Sequence, residues 1–91
     1  MNYLNKDIVV IGLGYVGLPL AVKLSSAFNV IGYDISQNRI NDLKNYYDST
    51  KEISKSELKK AKNLIITFDK NLIKKKYVYI ITVPTPVKKN N

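Results

Sequence analysis

The chain has 91 residues, 45% of them hydrophobic, which suits one small domain with a modest core. It contains no cysteine and no histidine, so disulfides, thiolate metal sites, a cysteine nucleophile and the commonest general base are all excluded. The net charge is +8, from 15 basic and 7 acidic residues.

All the basic residues but Arg39 are lysines, with clusters at Lys74, Lys75, Lys76 and at Lys88, Lys89. No aromatic residues interleave with them to stack bases, so the charge reads as a solvated surface and not as a nucleic-acid interface. A positive field still attracts anionic nucleotides. No apolar run approaches the ~20 residues that span a bilayer, and the first residues show no signal-peptide pattern. The expected location is the cytoplasm, with no membrane partner.

Ile8-Val9-Val10-Ile11 is an unbroken apolar run, as in a strand buried on both faces. Residues 7–11 are therefore the first predicted strand. Gly12-x-Gly14-x-x-Gly17 follows it. A helix is predicted over residues 15–27, with Val16, Leu20, Leu24 and Ala27 on its inward face. Pro19 falls in its first turn, where a missing N–H costs nothing. Residues 29–34 read as a second strand ending in Asp34. Ser36 is placed to cap a helix over residues 37–46, with Ile40 and Leu43 inward. Asp48-Ser49-Thr50 breaks that helix. Ser54 and Glu57 form a capping box, and Ile53 with Leu58 a hydrophobic staple, for a short helix ending near residue 63. Residues 64–68 are a third strand. Asp69 caps a brief helical turn through residue 75, with Leu72 and Ile73 inward. Residues 77–83 are a fourth strand, stopped by Pro84-Thr85-Pro86.

Strands separated by helices imply right-handed parallel crossovers. The expected fold is α/β: a partial Rossmann fold, a parallel sheet of about four strands in the order 3-2-1-4 with helices on both faces. The whole chain, residues 1–91, reads as one incomplete nucleotide-binding domain, since a complete fold of this class carries two more strands. The fourth strand is then an exposed edge that invites self-association.

The glycines lie between a strand and a helix, the context dinucleotide binding requires. Gly12 allows the sharp turn, Gly14 lets a pyrophosphate approach the backbone, and Gly17 brings helix and sheet together. The amides of residues 13–16 (Leu13, Gly14, Tyr15 and Val16) then face the phosphates at the positive end of the helix dipole. Asp34 lies 20 residues beyond Gly14, where a carboxylate accepts hydrogen bonds from ribose hydroxyls and repels a 2′-phosphate. NAD is thus favoured over NADP. The plainer alternative is a glycine turn that only packs a βαβ unit, with Asp34 a surface or capping acid.

The run Ile11-Gly12-Leu13-Gly14-Tyr15-Val16-Gly17-Leu18-Pro19-Leu20-Ala21 resembles the opening of the UDP-glucose/GDP-mannose dehydrogenase family. Val30-Ile31-Gly32-Tyr33-Asp34-Ile35, Arg39-Ile40, Asp48-Ser49-Thr50 and Val83-Pro84-Thr85-Pro86 follow in the family's order. Asp48-Ser49-Thr50 with Glu52-Ile53 looks most like the branch that oxidises UDP-N-acetylhexosamines, in polysaccharide precursor synthesis. The resemblance implies an NAD-dependent oxidation of a nucleotide sugar's C6 alcohol to a carboxylate, through a cysteine-bound intermediate. It implies that Gly12, Gly14, Tyr15, Val16 and Gly17 hold the pyrophosphate, that Asp34 binds the adenosine ribose with Arg39 beside it, and that Thr85 approaches the cofactor.

The family's catalytic cysteine, lysine and asparagine and its sugar-binding domain lie beyond this length, so no catalytic residue is assigned. Three readings follow. The chain is the NAD-binding N-terminal piece of a nucleotide-sugar 6-dehydrogenase, a non-catalytic nucleotide-binding module that pairs with another chain, or a remnant that binds nothing.

Overall fold

The computed structural model describes residues 7–82. Among them lie four strands, β1 (Asp7–Ile11), β2 (Asn29–Tyr33), β3 (Leu64–Thr67) and β4 (Val78–Ile81). The helices are α1 (Gly17–Leu24), α2 (Gln37–Lys44) and α3 (Lys55–Lys60), with a 3-10 helix at Lys70–Ile73. All strand pairs are parallel, in the order β3-β2-β1-β4, which is the expected doubly wound order. Val83, the last residue of the expected fourth strand, lies outside the described residues.

Register explains the core. Val10 pairs with Gly32, and Gly32 with Ile66; one step along, Ile8 pairs with Val30, and Val30 with Leu64. These residues share one face of the sheet, because side chains alternate along a strand. Val10 and Val30 form a buried cluster with Leu13, with Leu18 and Ala21 of α1, with Ile40 and Leu43 of α2 and with Leu58 of α3. The three α-helices therefore share one sheet face. The other face is packed by the 3-10 helix, which lies against β2. On that face Val9, Ile31 and Tyr33 of the two central strands are buried, whereas Ile65 and Ile81 of the outer strands are exposed.

Three expectations are corrected. First, α1 spans Gly17–Leu24 and not residues 15–27, and its inward face is Gly17, Leu18, Ala21 and Ser25. Val16 and Ala27 are exposed and Leu20 is only half-buried, whereas Leu24, also half-buried, does pack against the core as expected. The period was right and the phase was wrong. The approach of Gly17 to the sheet, described below, rotates the helix so that Leu18 points into the core. Pro19 does sit in the first turn.

Second, α2 stops at Lys44. Tyr46 N–H bonds the Leu43 carbonyl and Tyr47 N–H bonds the Asp42 carbonyl, with Tyr46 at φ 61°. That is a Schellman turn with tyrosine at the left-handed position where glycine is usual. Third, Leu72 is exposed, since the turn through it is a short 3-10 helix lying over an incompletely covered face. The expected capping box of Ser54 and Glu57 is present in α3, and Ser36 caps α2 by accepting from the Arg39 amide.

These corrections separate residues that look alike in sequence. Leu18→Ala should lower unfolding free energy by about 2–5 kcal/mol, the usual cost of a cavity in a filled core. Leu72→Ala should change it by no more than about 0.5 kcal/mol. Urea denaturation of the two variants beside wild type measures both.

Candidate functional site

The site is the turn from β1 into α1. Gly12 has φ +97°, and a Cβ built there would strike the Thr82 carbonyl oxygen. A Cβ on Gly17 would strike the Gly12 carbonyl. Both glycines are thus required by the protein's own packing. Gly14 is different. It has no left-handed φ, and a Cβ on it would meet nothing within 4 Å. The fold does not ask for glycine there.

The amides around Gly14 are also free. Those of Gly14, Tyr15 and Val16 have no acceptor among the described residues, and all three residues are exposed. They stand at the start of α1, where the helix dipole adds partial positive charge. Leu13 departs from the expected set. Its N–H donates to Asp34 Oδ2 at 2.9 Å, so it faces a carboxylate of the protein, and its side chain is fully buried.

Asp34 follows directly on β2. Its Oδ2 accepts from Leu13 and its Oδ1 accepts from the Ser36 amide at 2.9 Å. A carboxylate has about four acceptor positions, so two remain for hydroxyl donors. The residue is half-buried.

Arg39, on α2, does not wave free as a surface base. Its Nε donates to the Leu13 carbonyl at 2.7 Å. One terminal nitrogen, Nη1, pairs with Asp48 Oδ1 at 2.8 Å and reaches Ser49 Oγ at 3.4 Å. The other, Nη2, is buried without a partner among the described residues. Thr85 lies outside the described residues.

Two residues escaped the sequence reading. Asp48 was read as a helix breaker, yet it is a buried hub. Its Oδ1 accepts from Arg39, the Thr50 amide and the Thr50 hydroxyl, and its Oδ2 accepts from the amides of Glu52 and Ile53. Burial, the largest influence on its carboxyl, acts to raise the pKa. The hydrogen bonds from Thr50, Ile53 and Arg39 outweigh it and hold the group at about 2, against an ordinary 3.8. The signal available was an aspartate two residues before a threonine, a spacing that suits a local side-chain turn. Thr82 was the other omission. Its hydroxyl lies 2.7 Å from the Gly12 carbonyl and 3.2 Å from that of Ile11, fastening the glycine turn to the end of β4. Nothing in the sequence marked it apart from its neighbours.

Residues 6–91 match the family described as the UDP-glucose/GDP-mannose dehydrogenase family, NAD binding domain. Among curated relatives, the chain is 47% identical over 88 residues to Protein CapL of Staphylococcus aureus, covering 97% of this chain and 20% of that protein. It is 47% identical over 83 residues to a UDP-N-acetyl-D-glucosamine 6-dehydrogenase of Pseudomonas aeruginosa, covering 91% and 20%. Among solved structures it is similar to a UDP-D-ManNAc dehydrogenase from Pyrococcus horikoshii, with TM-score 0.79 and 32% identity over 90% of this chain and 21% of that one. It is also similar to a GDP-mannose dehydrogenase from Pseudomonas aeruginosa in a ternary complex, with TM-score 0.76 and 33% identity over 90% and 20%. The chain thus spans about one fifth of the length of these relatives.

The Asp48 hub makes a pH prediction. The folded chain binds the Asp48 proton more weakly than the unfolded chain does, so this contribution is fully present above pH 4. It is lost as pH falls from about 4 to about 2, and amounts to about 2 kcal/mol. The stability gap between wild type and Asp48→Asn should therefore narrow across that window. Melting temperatures of both proteins at a series of pH values check it.

Proposed function

The chain belongs to the UDP-glucose/GDP-mannose dehydrogenase family, and from that premise we propose that it binds NAD by the adenosine and pyrophosphate half. We propose further that it serves as the N-terminal nucleotide-binding portion of an enzyme oxidising the C6 alcohol of a UDP-N-acetylhexosamine. The observation that carries this reading is Gly14, a glycine the fold does not need, flanked by amides with no acceptor among the described residues. A pyrophosphate supplies a reason for both.

The parts divide the work. The amides of Gly14, Tyr15 and Val16 donate to phosphate oxygens at the positive end of α1. Gly12 and Gly17 set the turn that aims them. The free acceptor positions of Asp34 take the ribose hydroxyls, and its charge disfavours a 2′-phosphate. Leu13 contributes by orienting Asp34, and Arg39 lies beside the same ribose. Thr85, which follows β4 in the sequence, is assigned to the cofactor by the family resemblance alone. When bound, NAD supplies a hydride acceptor. With no cysteine in its sequence, the chain holds the cofactor and leaves the covalent step to residues it does not carry. A UDP-sugar partner belongs to the complete enzyme, and a cytoplasmic location goes with this reading. No helix among the described residues is long and apolar enough to cross a membrane. Self-association through the outer edge of β4, which has no strand beyond it among the described residues, belongs to the same reading.

Calorimetric titration with ADP-ribose and with NAD tests the reading. ADP-ribose should bind within about threefold of NAD, because the donors and acceptors described all serve the adenosine half. Gly14→Ala should lose about tenfold or more in affinity while keeping wild-type stability, since the added methyl meets no protein atom. Gly17→Ala should instead lose stability. A folded wild type that fails to bind either ligand at millimolar concentration would overturn the proposal.

A further inference from the structure

The Arg39–Asp48 pair has a geometry that nucleotide binding alone does not require. The Asp34 carboxylate and the Arg39 guanidinium grip the same residue from its two ends, the Leu13 N–H and the Leu13 carbonyl. The chain's only arginine therefore stands next to the acid that would meet the ribose. In nucleotide-binding folds of this class, an arginine near that acid is the group that accommodates a 2′-phosphate. Here the position carries both an acid that repels a 2′-phosphate and a base able to attract one. What decides between them is whether the arginine is free.

It is not free. Its Nε is held by the Leu13 carbonyl and its Nη1 by Asp48, whose side chain is wholly buried, while that of Arg39 is 11% exposed. Asp48 is in turn fixed by amides of its own loop and by the Thr50 hydroxyl, so it cannot follow the arginine outward. The Schellman turn at Tyr46 brings the chain back from α2 to set Asp48 under Arg39. The arrangement leaves Nη2 buried and without a partner among the described residues, a cost that packing alone would avoid with an apolar side chain.

We infer that Asp48 is a specificity-determining positioning residue: by neutralising Arg39 and holding it against the Leu13 carbonyl, it keeps the arginine from serving a 2′-phosphate. The preference for an unphosphorylated ribose then has two sources, the repulsion by Asp34 and the restraint on Arg39. This rests on the nucleotide reading above and adds to it a residue that touches no part of the nucleotide.

The test compares affinities for ADP-ribose and 2′-phospho-ADP-ribose in wild type, Asp48→Asn and the double variant Asp48→Asn, Arg39→Gln. Wild type should prefer ADP-ribose. In Asp48→Asn the preference should narrow by about fivefold or more through a gain in the phosphorylated ligand. The double variant should return to the wild-type ratio. Equal loss of both ligands in Asp48→Asn would make Asp48 merely structural and overturn the inference.

Should Asp48→Asn fail to fold, nitrogen-15 spectra of the wild-type Arg39 Nε–H decide the matter. A proton protected from exchange, and shifted no further by saturating 2′-phospho-ADP-ribose than by ADP-ribose, is the expected result. An unprotected proton, or one that shifts with the phosphorylated ligand alone, overturns it. A folded wild type that binds neither ligand overturns the nucleotide reading and this inference together, whereas binding with an unaltered ratio in the variants overturns only the latter.

Discussion

The close approach of α1 to β1 is the constraint on which the rest of the structure depends. Gly17 sits so near the Gly12 carbonyl that no side chain fits between them. That contact sets the rotation of α1. Leu18 and Ala21 then reach Val10 and Val30, and the amides of Gly14, Tyr15 and Val16 leading into the helix are left without an acceptor among the described residues. Thr82 closes the other side of the turn, its hydroxyl on the Gly12 carbonyl and its own amide on the Ile11 carbonyl. A turn fixed by helix packing in front and by β4 behind leaves its donors little freedom. A ligand that meets donors already in place loses less in ordering them.

Charge finishes what packing begins. Leu13 carries a carboxylate on its N–H and a guanidinium on its carbonyl, both charge-assisted hydrogen bonds of the stronger kind. Its side chain meanwhile fills the core below. One residue thus joins β1, β2 and α2 by two charge-assisted hydrogen bonds and one buried side chain. Asp34 gains an orientation from this, and Arg39 loses its mobility. The same contacts that stabilise the turn therefore decide which groups still face outward and with what charge.

The strands, their order and the caps were legible in the sequence because each rests on local chemistry. An apolar run, a serine before a helix, and a serine three residues before a glutamate carry their own structural meaning. The inward face of α1 was not legible. Val16 and Leu20 have as good a helical period as Leu18, Ala21 and Ser25, and only contact with the sheet chooses between them. Asp48 was hidden for a related reason. Its backbone donors lie within five residues, but its most telling partner, Arg39, reaches it only through a turn that uses a tyrosine where glycine would have been the cue. Leu72 looked buried because it is apolar, and the sheet face above which it lies is only partly covered.

The three glycines show how far sequence and structure each reach into function. In sequence they form one motif, with Gly12 read for the turn, Gly14 for the pyrophosphate and Gly17 for helix packing, and the family resemblance assigns all three to the nucleotide. In the structure two of them answer to the protein: Gly12 by its φ and by Thr82, and Gly17 by the Gly12 carbonyl. A chain that merely had to fold would keep these two and could place any residue at Gly14. An unneeded glycine there, beside exposed amides that pair with nothing among the described residues, is a departure from what stability favours, because glycine costs backbone entropy that alanine does not. The departure is local to the positive end of one helix, where a ligand bearing negative charge gains most. The motif's value as evidence for binding therefore rests on its middle glycine, and the outer two explain why that glycine stands where a phosphate could reach it.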